Sequence, residues 1–164
     1  VEAYIREARQ SIWDLRSPIL ETHDLAAALA AFAKELIADK PVRFTSMVAG
    51  NDESRPPKID NQLLRIGQEA ITNAVRHARA RRIHLEITFS RQSVTLRVED
   101  DGCGFDGHRS PADEDSHYGL ITMRERAEEL GGTLTITSEA GRGTSVEAVL
   151  PLSGHSRNSL PAAI

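Results

Sequence analysis

One stretch constrains the fold of this chain more than any other: residues 63–78, LLRIGQEAITNAVRHA. Ala, Leu, Ile, Gln and Glu fill it, with few breakers, so it reads as helix. Glu69, Asn73, and Arg76 or His77 recur at helical spacing and share one stripe. Ile66, Ala70, Ile71, Ala74 and Ala78 lie on other faces and can pack inward. A line of acid, amide and base on such a helix has two readings. One is a solvated outer face. The other is a line that looks into a ligand site. There Glu69 accepts a proton or orients water, the Asn73 side-chain oxygen suits magnesium, and Arg76 meets phosphate oxygens.

The flanking pattern says what this helix packs against. Residues 24–38, DLAAALAAFAKELIA, form a helix with Asp24 or Thr22 as its cap and Leu25, Leu29, Phe32 and Leu36 as an apolar stripe. Residues 42–48 alternate and read as a strand, after a turn at Asp39-Lys40-Pro41. Residues 50–58 read as a loop into the central helix. Residues 81–90 and 93–100 form a hairpin with Ile83, Leu85, Ile87, Phe89, Val94, Leu96 and Val98 on one buried face. Residues 101–118 are long and polar for a connection, as lids and disordered segments are. A helix over 119–130 ends at Gly131-Gly132. Strands 133–139 and 144–151 close the domain as a second hairpin. This order predicts an α+β two-layer sandwich, with a mixed, mostly antiparallel sheet and helices on one face.

Composition narrows the function. The chain has 164 residues, 40% hydrophobic but only 4% aromatic, so its core is aliphatic. A net charge of −4 argues against a nucleic-acid binder working by bulk charge. The basic cluster Arg76, Arg79, Arg81 and Arg82 reads as a solvated helix end. One cysteine, Cys103, allows no internal disulfide and fits a reducing compartment. The six histidines show no zinc spacing. No apolar run approaches the length of a membrane span.

Three further stretches carry chemistry: VEDDGCGFD (98–106), HYGLITMRERAEELGG (117–132) and GRGTSVEAVLP (141–151). Asp100 ends a strand before Gly102 and Gly104. A carboxylate there can accept from the exocyclic amine of adenine, which guanine's oxygen cannot match. DDG alone is equally a simple turn. Gly119 and Leu120 precede a predicted helix whose free N-terminal amides can receive phosphate. Arg124 and Arg126 lie near that end, either on the triphosphate or paired with Glu128 or Glu129.

With these motifs in order, residues 24–151 resemble the ATP-binding domain of sensor histidine kinases, most closely the nitrate-sensor and LuxR-coupled subfamily, which has the Bergerat fold. The resemblance implies an ATP-dependent protein histidine kinase with ATP and magnesium as cofactors. Glu69 and Asn73 match its E-x-x-x-N motif, with Asn73 on the metal and Glu69 assisting transfer. Arg76 matches a phosphate-contacting position, and His77 reads as a site-edge residue. Asp100 matches the adenine reader of D-x-G-x-G, with Gly102 and Gly104. Gly119 and Leu120 resemble the second glycine box, although Ser116-His117-Tyr118 stand where many relatives have an extra glycine. Gly141, Gly143 and Thr144 resemble the last box, the Thr144 hydroxyl supporting Asp100 directly or through water.

The implied reaction moves the ATP γ-phosphoryl group to a histidine, for relay to a response regulator. SIWDLRSP resembles the end of the second dimerisation helix. Residues 1–20 are thus expected to end that helix and linker, 21–152 to form the catalytic domain, and 153–164 to be a disordered tail. None of His23, His84, His108, His117 or His155 sits in the acceptor motif, so the acceptor belongs upstream, in a parent expected to homodimerise by a helical bundle. The expected location is the cytoplasm, with any membrane anchor outside this sequence. Two alternatives share the fold: an anti-sigma-factor-like serine kinase acting as an ATP-gated interaction module, and a degenerate binding domain. SIWDLRSP and HYGLITMRERA weigh against the first, and intact Glu69, Asn73 and Asp100 against the second.

Overall fold

The structure, a computed structural model, describes residues 24–51, 55–105 and 114–152, with the backbone alone for 114–117. The expected dimerisation-helix end over 1–20, the tail over 153–164 and much of the long polar segment lie outside the described residues. Among the described residues, three helices and five strands follow in order: α1 Leu25–Ile37, β1 Arg43–Ala49, α2 Pro57–Arg76, β2 Arg82–Phe89, β3 Ser93–Asp100, α3 Glu114–Glu129, β4 Thr133–Glu139 and β5 Gly143–Pro151.

The strands form one sheet in the order β1-β2-β3-β5-β4. β1 runs parallel to β2 and every other pair is antiparallel. α1 packs on β1, α2 on β3 and β5, and α3 on β4 and β5, so the helices cover one face side by side. This is the expected two-layer sandwich. The core between the layers is aliphatic: Leu29, Leu63, Ile66 and Ile71 from the helices meet Leu85, Ile87, Leu96 and Leu150 from the sheet, all at most 1% exposed. The alternation read in β2 and β3 is the buried face observed, from Ile83 to Phe89 and Val94 to Val98.

Local chemistry sets the helix ends. Asp24 caps α1 by accepting from the Ala27 N–H at 2.7 Å. α2 begins at Pro57, six residues before the stretch that signals it, so the loop expected over 50–58 is helix at its last two positions. Proline is tolerated at the first helical position because that N–H has no partner to lose. Arg55 secures the entry: it pairs with Asp60 at 2.5 Å and lies 4.4 Å over the Phe89 ring. Gly67 lets α1 and α2 approach closely, since a Cβ there would press on Leu29. Gly131 ends the α3 region at φ 72° as expected, and the Gly132 N–H bonds back to the Ala127 carbonyl at 2.9 Å.

Leu29 fills the junction of α1 and α2 completely. Leu29→Ala is expected to lower unfolding free energy by about 2–5 kcal/mol, measured by urea denaturation with an unchanged m-value.

Candidate functional site: a carboxylate at the end of a central strand

β3 is the middle strand, and it delivers Asp100 at its end, in register with Ile83 on β2 and Thr144 on β5. The chain then turns sharply. The Gly102 N–H donates back to Asp100 Oδ1 at 2.8 Å. The Thr144 backbone N–H lies beside the same carboxylate and favours its charged form. Burial pushes the Asp100 carboxyl above its ordinary value, and these two N–H donors pull the other way. Neighbouring Asp101 has the opposite environment. Its Oδ1 accepts from the N–H groups of Arg81 and Arg82, at 2.8 and 2.7 Å, and its Oδ2 pairs with Arg82 Nε at 2.9 Å. The Arg82 guanidinium and these amides hold Asp101 down to about 2. One acid therefore ties the turn to β2, and the other is left facing inward.

The glycines of the turn are there for space. A Cβ on Gly102 would collide with the Ala78 carbonyl, and one on Gly143 with the Asp100 carbonyl. Gly143 also sits at φ 91°, a conformation that favours glycine.

Asp100 faces a cavity of about 260 Å³ between α2, β3, β5 and α3. Its walls are largely apolar: Ala70, Ala74, Ala78, Val98, Val146 and Leu120. Asn73, His77, Asp100 and Thr144 bring the polar groups, and Cys103, Gly104 and Phe105 close it. The structure thus brings together six of the residues singled out from sequence: Asn73, His77, Asp100, Gly104, Leu120 and Thr144. Gly102 stands behind the wall as a donor to Asp100. Arg76 and Arg124 are exposed and do not line the cavity.

Glu69 lies one turn from Asn73 but under α3. A Cβ on Gly119 would strike Glu69 Oε1, so Gly119 lets α3 sit directly on that side chain. Two turns further along both helices, Arg126 Nη1 donates to Gln62 Oε1 at 3.0 Å. Glu69 against Gly119 and Gln62 against Arg126 define an antiparallel seam. Burial lowers the Arg126 guanidinium, and the carboxylates of Glu129, Glu69 and Glu125 raise it. Glu129 itself pairs with Lys58 at 3.0 Å.

One expectation is corrected. α3 starts at Glu114, so Gly119 and Leu120 lie inside the helix, not ahead of free N-terminal amides. The sequence from Glu114 to Tyr118 holds no breaker, and the glycine is tolerated because any side chain would meet Glu69. The Thr144 hydroxyl lies 2.9 Å from Ser138 Oγ. Sequence reasoning missed Val98 and Val146, each two residues from a chosen site residue on the buried face. It also gave no weight to Ser138.

The site is thus a strand-end carboxylate in a largely apolar cavity, with the Asn73 amide on the helix that lines it. The model of the histidine kinase-, DNA gyrase B- and HSP90-like ATPases matches residues 59–154, more than half of the chain. The chain belongs to this family, and the domain is an ATP-binding domain of the histidine-kinase type. Among curated relatives, it is 32% identical over 112 residues to the signal transduction histidine-protein kinase/phosphatase DegS of Bacillus subtilis, covering 68% of this chain and 29% of that protein. It is 31% identical over 146 residues to the sensor histidine kinase LiaS of Bacillus subtilis, covering 89% and 39%. It is 35% identical over 128 residues to the sensor protein VraS of Staphylococcus saprophyticus, covering 77% and 36%. The chain thus spans well under half the length of these relatives. Among solved structures, the Erythrobacter litoralis EL346 blue-light activated histidine kinase is similar with a TM-score of 0.60 and 25% identity, over 80% of this chain and 42% of that one.

The two adjacent acids separate in their predicted behaviour. Asp101 is lower folded than unfolded, so its stabilisation is full above the ordinary carboxylate value of about 3.9 and is lost as pH falls toward 2. Asp101→Asn should melt lower than wild type at neutral pH, with the gap closing on acidification through that window. Asp100 is raised, so its charge costs stability at neutral pH. Asp100→Asn should melt at or above wild type, while calorimetric titration shows ATP affinity reduced roughly 10- to 100-fold.

Proposed function

We propose that this domain holds ATP with its adenine amine on Asp100, and delivers the γ-phosphoryl group to a histidine on a dimerisation helix of the longer protein. The observation that carries this reading is the apolar cavity in which Asp100 offers its lone pairs. An adenine amine donates to such a group, and a guanine oxygen does not.

The remaining roles follow from position. Asn73 lines the cavity with a side-chain amide oxygen, a hard ligand that fits magnesium. No cluster of three or more His, Cys, Asp or Glu residues that could hold a metal occurs among the described residues. When bound, magnesium neutralises charge on the phosphates. Gly102 and Gly104 shape the turn beside the base, and Leu120 and Thr144 complete the wall. His77 lines the cavity, and the exposed Arg76 and Arg124 are the cations offered to phosphate oxygens. Glu69, held under Gly119, assists the transfer by taking the proton of the attacking imidazole. In that step the bond between the γ-phosphorus and the β–γ bridging oxygen breaks, a phosphorus–nitrogen bond forms, and ADP leaves. The rate gain comes mostly from positioning and charge neutralisation.

A response regulator then takes the phosphoryl group, and the parent works as a homodimer in the cytoplasm. Among the described residues, no helix is long and apolar enough to cross a membrane.

With radiolabelled ATP and magnesium, the domain alone should acquire no phosphohistidine. A separately prepared dimerisation fragment of the parent should be labelled when mixed with it. Asn73→Asp or Glu69→Gln should reduce that labelling by at least tenfold. Labelling of the domain itself on histidine, or of a serine on the added fragment, would refute the reading.

A further inference from the structure

Ser138, near the end of β4, is in register with Thr144 on β5. Its hydroxyl makes three contacts. The Phe105 N–H donates to Ser138 Oγ at 2.8 Å. Ser138 Oγ donates to the Gly143 carbonyl at 3.2 Å. Thr144 Oγ1 lies 2.9 Å away. A serine hydroxyl has one hydrogen and two lone pairs. Phe105 N can only donate, and the Gly143 oxygen can only accept. Only one assignment keeps all three contacts as hydrogen bonds. The Ser138 hydrogen goes to Gly143, one lone pair accepts from Phe105, and the other accepts from Thr144.

Thr144 also has a single hydroxyl hydrogen, and Ser138 takes it. Toward the cavity that Thr144 lines, its Oγ1 therefore presents lone pairs alone. Asp100 does the same. Its carboxylate already accepts from the Gly102 N–H, and as an acceptor-only group it lines the same cavity. The two side chains form a polar floor that only accepts. A 6-amino purine, or a water donating to the floor, satisfies it. A 6-oxo purine can offer the floor its N1–H but sets its 6-oxygen against lone pairs, and an unmatched buried polar group is costly.

We infer that Ser138, which does not line the cavity, is a positioning residue for base specificity: by holding the Thr144 hydroxyl hydrogen, it makes the pocket reject 6-oxo purines. The inference rests on the adenine reading above and deepens it. Without the Ser138 oxygen, the Thr144 hydroxyl is free to turn and donate to a 6-oxo group.

Inosine triphosphate is the direct probe. It has the size of ATP, with an oxo group and an N1 hydrogen replacing the 6-amino pattern. ATP and inosine triphosphate would compete against a fluorescent ATP analogue on wild type, Ser138→Ala and Ser138→Thr, each first shown to melt cooperatively. Wild type should prefer ATP. Ser138→Ala should shrink that preference roughly tenfold, about one hydrogen bond. Ser138→Thr, which keeps the hydroxyl, should restore it. A purely structural role would weaken both nucleotides together and leave their ratio unchanged. An unchanged ratio in folded Ser138→Ala overturns the inference while leaving the ATP site standing. If Ser138→Ala does not fold, Ser138→Cys replaces it under the same criterion, since a thiol is a weak partner. Wild type that binds no ATP overturns the adenine reading and this inference with it.

Discussion

Everything in this domain is arranged to keep one carboxylate, Asp100, charged and half-buried at the end of the central strand. Burial works against that charge, and among the described residues two backbone N–H groups offset it. One belongs to the turn that follows, the other to the neighbouring strand. The turn in turn depends on Asp101, which fastens it to the start of β2 through Arg81 and Arg82. Closing it also requires a residue without a side chain at 102 and at 143. A site that binds a donor must keep an unmatched acceptor until the donor arrives.

The helical layer serves the same end. α2 has one apolar face on the sheet and one polar line beside the cavity, so the helix that closes the core also places Asn73. α3 approaches α2 without an intervening side chain at Gly119, which fixes where Glu69 can be. Arg126 and Gln62 extend that seam away from the cavity. Packing and site are therefore one construction, seen from two sides of the same helices.

Much of this was legible in the sequence because burial has a period. Ile83, Leu85 and Ile87 announce an inner sheet face by alternation, and the stripe on α1 announces its packing on the core. Asp100 was legible from its place between an alternating strand and a glycine turn. Helix starts were less so. Pro57 looks like a breaker and is a first helical residue. Gly119 looks like the approach to a helix and lies within one. In both cases the deciding term is a contact, Arg55 with Asp60 or Gly119 with Glu69, between groups that local propensity does not relate. Ser138 was invisible for the same reason. A polar residue on an outer strand has no periodic signature, and its meaning comes from three partners brought in by register and turn geometry.

The measurement that tests the central claim most directly is an ATP titration of the isotope-labelled domain, followed by amide resonances. The account predicts saturable shifts centred on Gly102, Gly104, Asn73 and Thr144, with ITP producing weaker changes at the same amides. Shifts confined to the basic surface around Lys40, Arg43 and Arg82, or none in a folded domain, would contradict it.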